Sequence, residues 1–141
     1  MADLYEDDIL LWSEHQAELL RRLARGERVN DQIDWDNLVE EVESVGCDQL
    51  HAVESLLLQS LVHTLKARAW PEIRDAQSWS LDANMFRIQA ANRYVPSMRQ
   101  RIELDRIYRQ ALDVLPPAMD GQPRRPLPET CPVTLDELLR R

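Results

Sequence analysis

At 141 residues, with 44% apolar and 30% charged side chains, the chain has the make-up of one globular domain with its own core, not of a disordered tail. Its formal net charge of −8 argues against a general binder of nucleic acid or anionic membrane, which needs surplus Lys and Arg to meet phosphate. Leu, Ala, Glu, Arg and Gln dominate, Gly occurs three times, and few windows alternate with period two, so helix is favoured almost throughout.

The charge is lopsided. Residues 1–60 carry 15 acidic and 4 basic side chains, while residues 61–141 carry 10 acidic and 13 basic. Two halves that attract each other explain this more simply than a split-charge surface for a partner. Two cysteines, Cys47 and Cys131, without a C-x-x-C pair, indicate neither a zinc site nor a disulfide framework. The first residues lack the basic and apolar segments of a secretory signal, and no apolar run approaches the ~20 residues that span a bilayer. A cytoplasmic protein with reduced thiols is the expectation.

Along the chain, Asp3 with Glu6 forms a capping-box pattern, and Ile9, Trp12, Gln16, Leu19 and Leu23 make a helical stripe that Gly26 stops. A polar loop, Glu27–Gln32, follows. Asp34 is the next N-cap, with Ile33 and Leu38 as a hydrophobic staple. Leu38, Val42 and Val45 keep one face apolar to Gly46, after which Leu50, Val53, Leu57, Leu61 and Leu65 resume the stripe almost in phase. One helix from Trp35 to Ala69 fits this pattern. So do two helices broken at Gly46-Cys47 with Asp48 as a new cap, and the break is slightly favoured, although a mid-helix Gly costs only ~1 kcal/mol against Ala.

Residues 56–65 are apolar on most faces and predict the centre of a bundle, ended by Pro71 beside Trp70. The next helix spans about Asp75–Ala91, with Trp79, Ala83, Phe86 and Ala90 inward. Pro96 suits the first turn of a further helix carrying Met98, Ile102, Asp105, Tyr108 and Leu112 on one side, closed by Pro116-Pro117. Six of the eight prolines fall in 116–133, which predicts an extended arm. Thr134 with Glu137 then caps a short helix. The fold expected is all-α: a single helical domain over 1–141, with a bundle of five to six helices over 1–115 and a Pro-rich C-terminal arm over 116–141.

Several of these pieces occur in an order that resembles the bacterial family of domain of unknown function 29. They are Leu-Tyr-Glu-Asp-Asp (4–8) with Trp12, the run Asn37 to Gly46, Leu-Val-His-Thr-Leu-Lys (61–66), Ser78-Trp79, Pro96-Ser97-Met98, Tyr108-x-x-Ala111 and Cys131 to Leu139. The resemblance covers nearly the whole chain and implies an all-helical fold. It brings no activity, cofactor or catalytic residue. The chain departs from the family pattern at Cys47 and across Asp31–Trp35, so Cys47 is a poor candidate for a shared role.

Glu40, Glu43, Cys47, His51 and Glu54, at spacings of 3, 4, 4 and 3, share one face if the helix is unbroken, and carboxylates with an imidazole so spaced suit a divalent metal. The face lies away from the apolar stripe, however, and only one His-x-x-Glu occurs, where di-iron bundles draw Glu-x-x-His ligands from several inward-facing helices. A solvated polar face is the simpler reading, so no metal, cofactor or catalytic residue is assigned. His63, on the most apolar helix, suits a core hydrogen bond, with Asp105 as its partner. Glu40 and Glu41 suit the helix N-terminus or pairing with Arg87, Arg93, Arg99 or Arg101. The arginines of 93–109 are broken up by Glu103 and Asp105 and lack interleaved aromatics, against nucleic-acid binding. Trp35, in a first helical turn, is available to a partner.

Three functional readings follow. The first is a non-enzymatic protein-interaction or regulatory module, binding a protein partner or its own copy through a helix face or the arm. The second is a metal-binding protein or cryptic metal-dependent enzyme using Glu40, Glu43, His51 and Glu54. The third is an acidic regulator of a basic partner such as a toxin or nucleic-acid-binding protein. No residue implies a small-molecule ligand.

Overall fold

The computed structural model describes residues 3–140; Met1, Ala2 and Arg141, the ends of the expected domain, lie outside the described residues. Six α-helices carry the described chain: α1 (Leu4–Asp7), α2 (Ile9–Ala24), α3 (Trp35–Ala69), α4 (Ala76–Arg93), α5 (Leu104–Val114) and α6 (Leu135–Leu138). A two-stranded ribbon joins β1 (Ala118–Met119) to β2 (Gln122–Pro123). The all-α architecture read from composition and periodicity is the one observed. Residues up to Cys47 and residues from Asp48 onward form two compact units.

In the first unit the opening helix is two helices, not one. Asp8 takes φ −153°, ψ 83°, and its carboxylate accepts the Leu11 amide at 3.0 Å. A short acidic side chain thus offers the backbone a bond outside the ladder, ending α1 and capping α2. Asp3 caps α1 by accepting the Tyr5 amide. The break leaves Ile9 exposed instead of on the inner stripe, while Trp12, Gln16 and Leu19 are buried. Gly26, at φ +93°, ends the segment as expected. Leu19, Val29 and Ile33 form a small core, with Leu23 and Leu38 packed against it, so the Ile33–Leu38 staple is present.

α3 is continuous through Gly46, contrary to the favoured break. The backbone there is helical and a Cβ would meet nothing within 4 Å, so the glycine answers no steric need. Its intrinsic penalty of ~1 kcal/mol is too small to interrupt a helix whose apolar positions continue on both sides. Asp48 accordingly lies within the helix instead of capping a new one.

The second unit is built on the C-terminal half of α3. Val53, Leu57, Leu61 and Leu65 are buried at i, i+4 spacing, and Trp70 closes the seam before Pro71. The one hydroxyl buried on this seam, that of Ser60, donates to the Ala83 carbonyl at 2.8 Å, tying α3 to α4 without an unmet polar group. Trp79, Ala83 and Ala90 of α4 face inward as read from the sequence, with Phe86 half-buried.

Pro96 opens a 3₁₀ turn, Pro96–Met98, and not the fifth helix. The Pro96 and Met98 carbonyls are taken by the amides of Arg99 and Arg101, closing tight turns before α5 starts at Leu104. That later start changes the helix face. Ile107, Tyr108 and Ala111 are buried and Asp105 is exposed, the reverse of the expected placement of Asp105.

The Pro-rich arm contains the β1–β2 ribbon, turned at Asp120 (φ 51°) and Gly121 (φ 77°), the two positive-φ positions of a tight hairpin. Among the bonds that pin the arm are those of the Trp70 indole to the Gln122 carbonyl (3.0 Å), the Arg125 amide to the Ala69 carbonyl (3.2 Å) and the Tyr108 hydroxyl to the Pro128 carbonyl (2.5 Å). Thr134 caps α6 by accepting the Glu137 amide, and its hydroxyl donates to the Glu137 carboxylate, so the expected pair is in place with the return bond on the hydroxyl instead of on the Thr134 amide; Leu138 is buried. No helix of the described residues is long and apolar enough to cross a membrane.

Candidate partner-binding surface

The N-terminal part of α3 carries an apolar face that the first unit leaves uncovered. Leu38 turns onto the small core, but Val42 and Val45 are 65% and 64% exposed, and Trp35 and Val39 are also exposed. Of the apolar stripe read at Leu38, Val42 and Val45, only Leu38 is therefore covered. The first-unit core consists of Leu19, Val29 and Ile33 from α2 and the loop, and it reaches α3 only at its first turn, through Leu38. Trp35, Val39, Val42 and Gly46 follow spacings of 4, 3 and 4, the repeat with which one helix packs along another. Gly46 adds no side chain to that line, so a partner backbone can approach it closely.

A row of carboxylates borders the face. Asp36, Glu40 and Glu43 repeat the same 4 and 3 spacing, one position later and so about 100° around the helix, and all three are exposed. Glu41, on the opposite flank, accepts the Tyr5 hydroxyl at 2.6 Å, which pushes the Tyr5 pKa up to about 12. Trp35 is held by its indole N–H, which donates to the Asn30 carbonyl at 2.8 Å, so the ring is fixed and its face remains open.

The base of this helix is rigidly placed. Asp34 accepts the Trp12 indole at 3.0 Å and the Asn37 side-chain amide at 2.8 Å, while its own amide donates to Gln16 at 2.8 Å. The bonds from Asn37 and Trp12 hold the Asp34 carboxyl below the usual aspartate range, against the opposing effect of desolvation. Trp12 also stacks edge-on with Tyr5 at 4.9 Å.

The residues singled out for metal are not gathered into a centre. Glu40, Glu43 and Cys47 are exposed in the first unit; His51 is exposed in the second, and Glu54 there pairs with Arg106 at 3.1 Å. Among the described residues, no group of three or more His, Cys, Asp or Glu side chains is placed to hold a metal ion. His63 does not meet Asp105. Its Nδ1 lies 2.8 Å from the Gln59 carbonyl one turn back, and its ring packs 5.2 Å from Phe86. Two of the four arginines expected to meet Glu40 and Glu41 are engaged within the second unit: Arg99 bonds Asp136, and Arg87 bonds Asn84 and the Leu138 and Arg140 carbonyls. Cys131 is half-buried, and burial pushes its thiol pKa up.

Fold and surface together define an all-α protein with an acid-edged apolar face on its longest helix. The sequence profile of the family described as domain of unknown function DUF29 matches residues 4–141, and the chain belongs to that family. It is similar to an alpha-helical protein of unknown function from Rhodospirillum rubrum, whose crystal structure was solved at 1.45 Å. Identity is 26% over 99% of this chain and 91% of that chain, with a TM-score of 0.66. Comparison with curated proteins gives no match.

Proposed function

We propose that the chain is a non-enzymatic protein-interaction module that uses the Trp35–Val39–Val42 face of α3 to bind a basic amphipathic helix of a partner protein. The observation that carries this reading is the exposure of a helically spaced apolar row with a parallel row of carboxylates beside it. The apolar row calls for a helix of matching repeat. The carboxylates select one with Lys or Arg along its edge, and they oppose pairing with a second copy, whose own acidic row would meet this one.

The test titrates the full chain with a fluorescent amphipathic peptide of alternating Leu and Lys at helical spacing, in low and high salt. Binding that weakens several-fold in high salt and is lost in Val42→Asp supports the reading. Val42→Asp adds negative charge, so its loss of binding reports the apolar face and not the field. Binding untouched by Val42→Asp, or self-association of the unmixed chain through this face in sedimentation, would overturn it.

A further inference from the structure

The second unit carries a half-open cavity of about 450 Å³ between α3, α4 and the segment leading into α6. That is within the range of small-ligand pockets. Its apolar wall is Leu61, Leu65, Ala83 and Leu138, and its cationic side carries Arg68 and Arg87. Three arginines line it against one glutamate. That glutamate, Glu137, is exposed and already accepts the Thr134 hydroxyl.

Arg87 is the informative group. It is half-buried, and its bonds go to neutral acceptors: the Asn84 side-chain oxygen at 3.1 and 2.9 Å, the Leu138 carbonyl at 3.2 Å and the Arg140 carbonyl. Among the described residues neither Arg87 nor Arg68 has a carboxylate within ion-pair distance. Holding the end of α6 accounts for one guanidinium nitrogen of Arg87. It accounts for neither the uncompensated positive charge on an apolar cavity wall nor the second arginine beside it, and partly buried charge ordinarily finds its counter-charge.

We infer that this cavity is a binding site for a small organic carboxylate with an apolar body, its tail against Leu61, Leu65, Ala83 and Leu138 and its carboxylate on Arg68 and Arg87. Arg87 spends Nε and Nη2 on Asn84 and Nη1 on the two carbonyls, so the planar carboxylate takes the guanidinium fork of Arg68 and the remaining Nη2 hydrogen of Arg87. Because Leu138 and the carbonyls bonded by Arg87 belong to α6 and its C-terminal end, occupancy also fastens the end of the arm.

The experiment titrates the full chain, methyl-labelled at Ala, Leu and Val, with octanoate, octanol and octylammonium. Octanoate shifts the Ala83 and Leu138 methyls and binds about tenfold more tightly than octanol, the worth of one charge-assisted contact. Octylammonium does not bind there. Arg68→Gln, at an exposed position that leaves the core intact, removes the preference for octanoate over octanol, and Ala83→Leu, checked for folding by its melting curve, blocks both. Equal binding of octanol and octanoate, shifts confined to the valine face of α3, or still methyls at Ala83 and Leu138 up to millimolar octanoate would each overturn the assignment.

Discussion

Trp12 and Asp34 are joined across 22 residues by a 3.0 Å bond from the indole nitrogen to the carboxylate that opens α3. This bond sets α2 against the base of the helix that presents the apolar face. Asp34 lies at the capping position and also takes the Asn37 side chain, so Asp34→Ala removes a cap and orphans an indole N–H. A loss of about 1–2 kcal/mol in urea unfolding is expected, with Trp12→Phe losing about 1 kcal/mol.

The same carboxylate fixes an acid dependence. Its folded pKa is depressed below its unfolded value, so its contribution is complete above the ordinary aspartate range and is lost as pH falls through the folded value. The Trp12 indole N–H resonance should therefore hold its position down to about pH 4 and move only below it.

Tyr5 gives the opposite sign. Its folded pKa is about 12 against an ordinary 10.0, chiefly because its hydroxyl donates to Glu41. The contribution is complete below pH 10 and is lost as pH rises through about 12. Absorbance titration of the phenolates should show two of the three tyrosines ionising late, Tyr5 and the buried Tyr108, and Glu41→Gln should bring Tyr5 alone back toward its ordinary value.

Gly46 offers a test of the continuous helix. Since a Cβ there meets nothing within 4 Å and the backbone is helical, Gly46→Ala should stabilise the chain by about 1 kcal/mol in urea unfolding and raise its helical circular dichroism. A chain broken at this position would lose stability on the same substitution.

The two thiols should separate in alkylation. Cys47 is exposed, whereas Cys131 is half-buried with its thiol pKa raised by burial, so iodoacetamide at pH 8 should label Cys47 well before Cys131. Mass mapping of early time points checks the order.

Much of the fold was legible from local chemistry. Asp34, Pro71, Gly26 and the Thr134–Glu137 box act within one turn of themselves, and the structure uses each of them where the residues alone place it. The misreadings share a different cause. Asp8 competes with a continuous apolar stripe, Pro96 suits a 3₁₀ turn as well as a helix, and the later start of α5, at Leu104, depends on which turn wins. At Gly46 the balance between a ~1 kcal/mol penalty and an in-phase stripe is not decided by the stripe's sequence alone.

The candidate surface was half legible. The same valines that read as an apolar stripe form the exposed face, because periodicity reports a helix face and not what covers it. Trp35 is the one residue of this exposed face that the sequence marks as available to a partner, since a first-turn aromatic has little helix around it. The cavity of the second unit joins Arg68 of α3 to Arg87 of α4, 19 positions apart, and no spacing rule relates them.

The valine methyls of the full chain test the central reading most directly. On titration with the basic Leu/Lys helical peptide, Val39, Val42 and Val45 should shift together while Val53, buried in the seam of the second unit, stays still. Still methyls at Val39, Val42 and Val45 with peptide bound elsewhere would contradict the assignment of this face as the partner-binding surface.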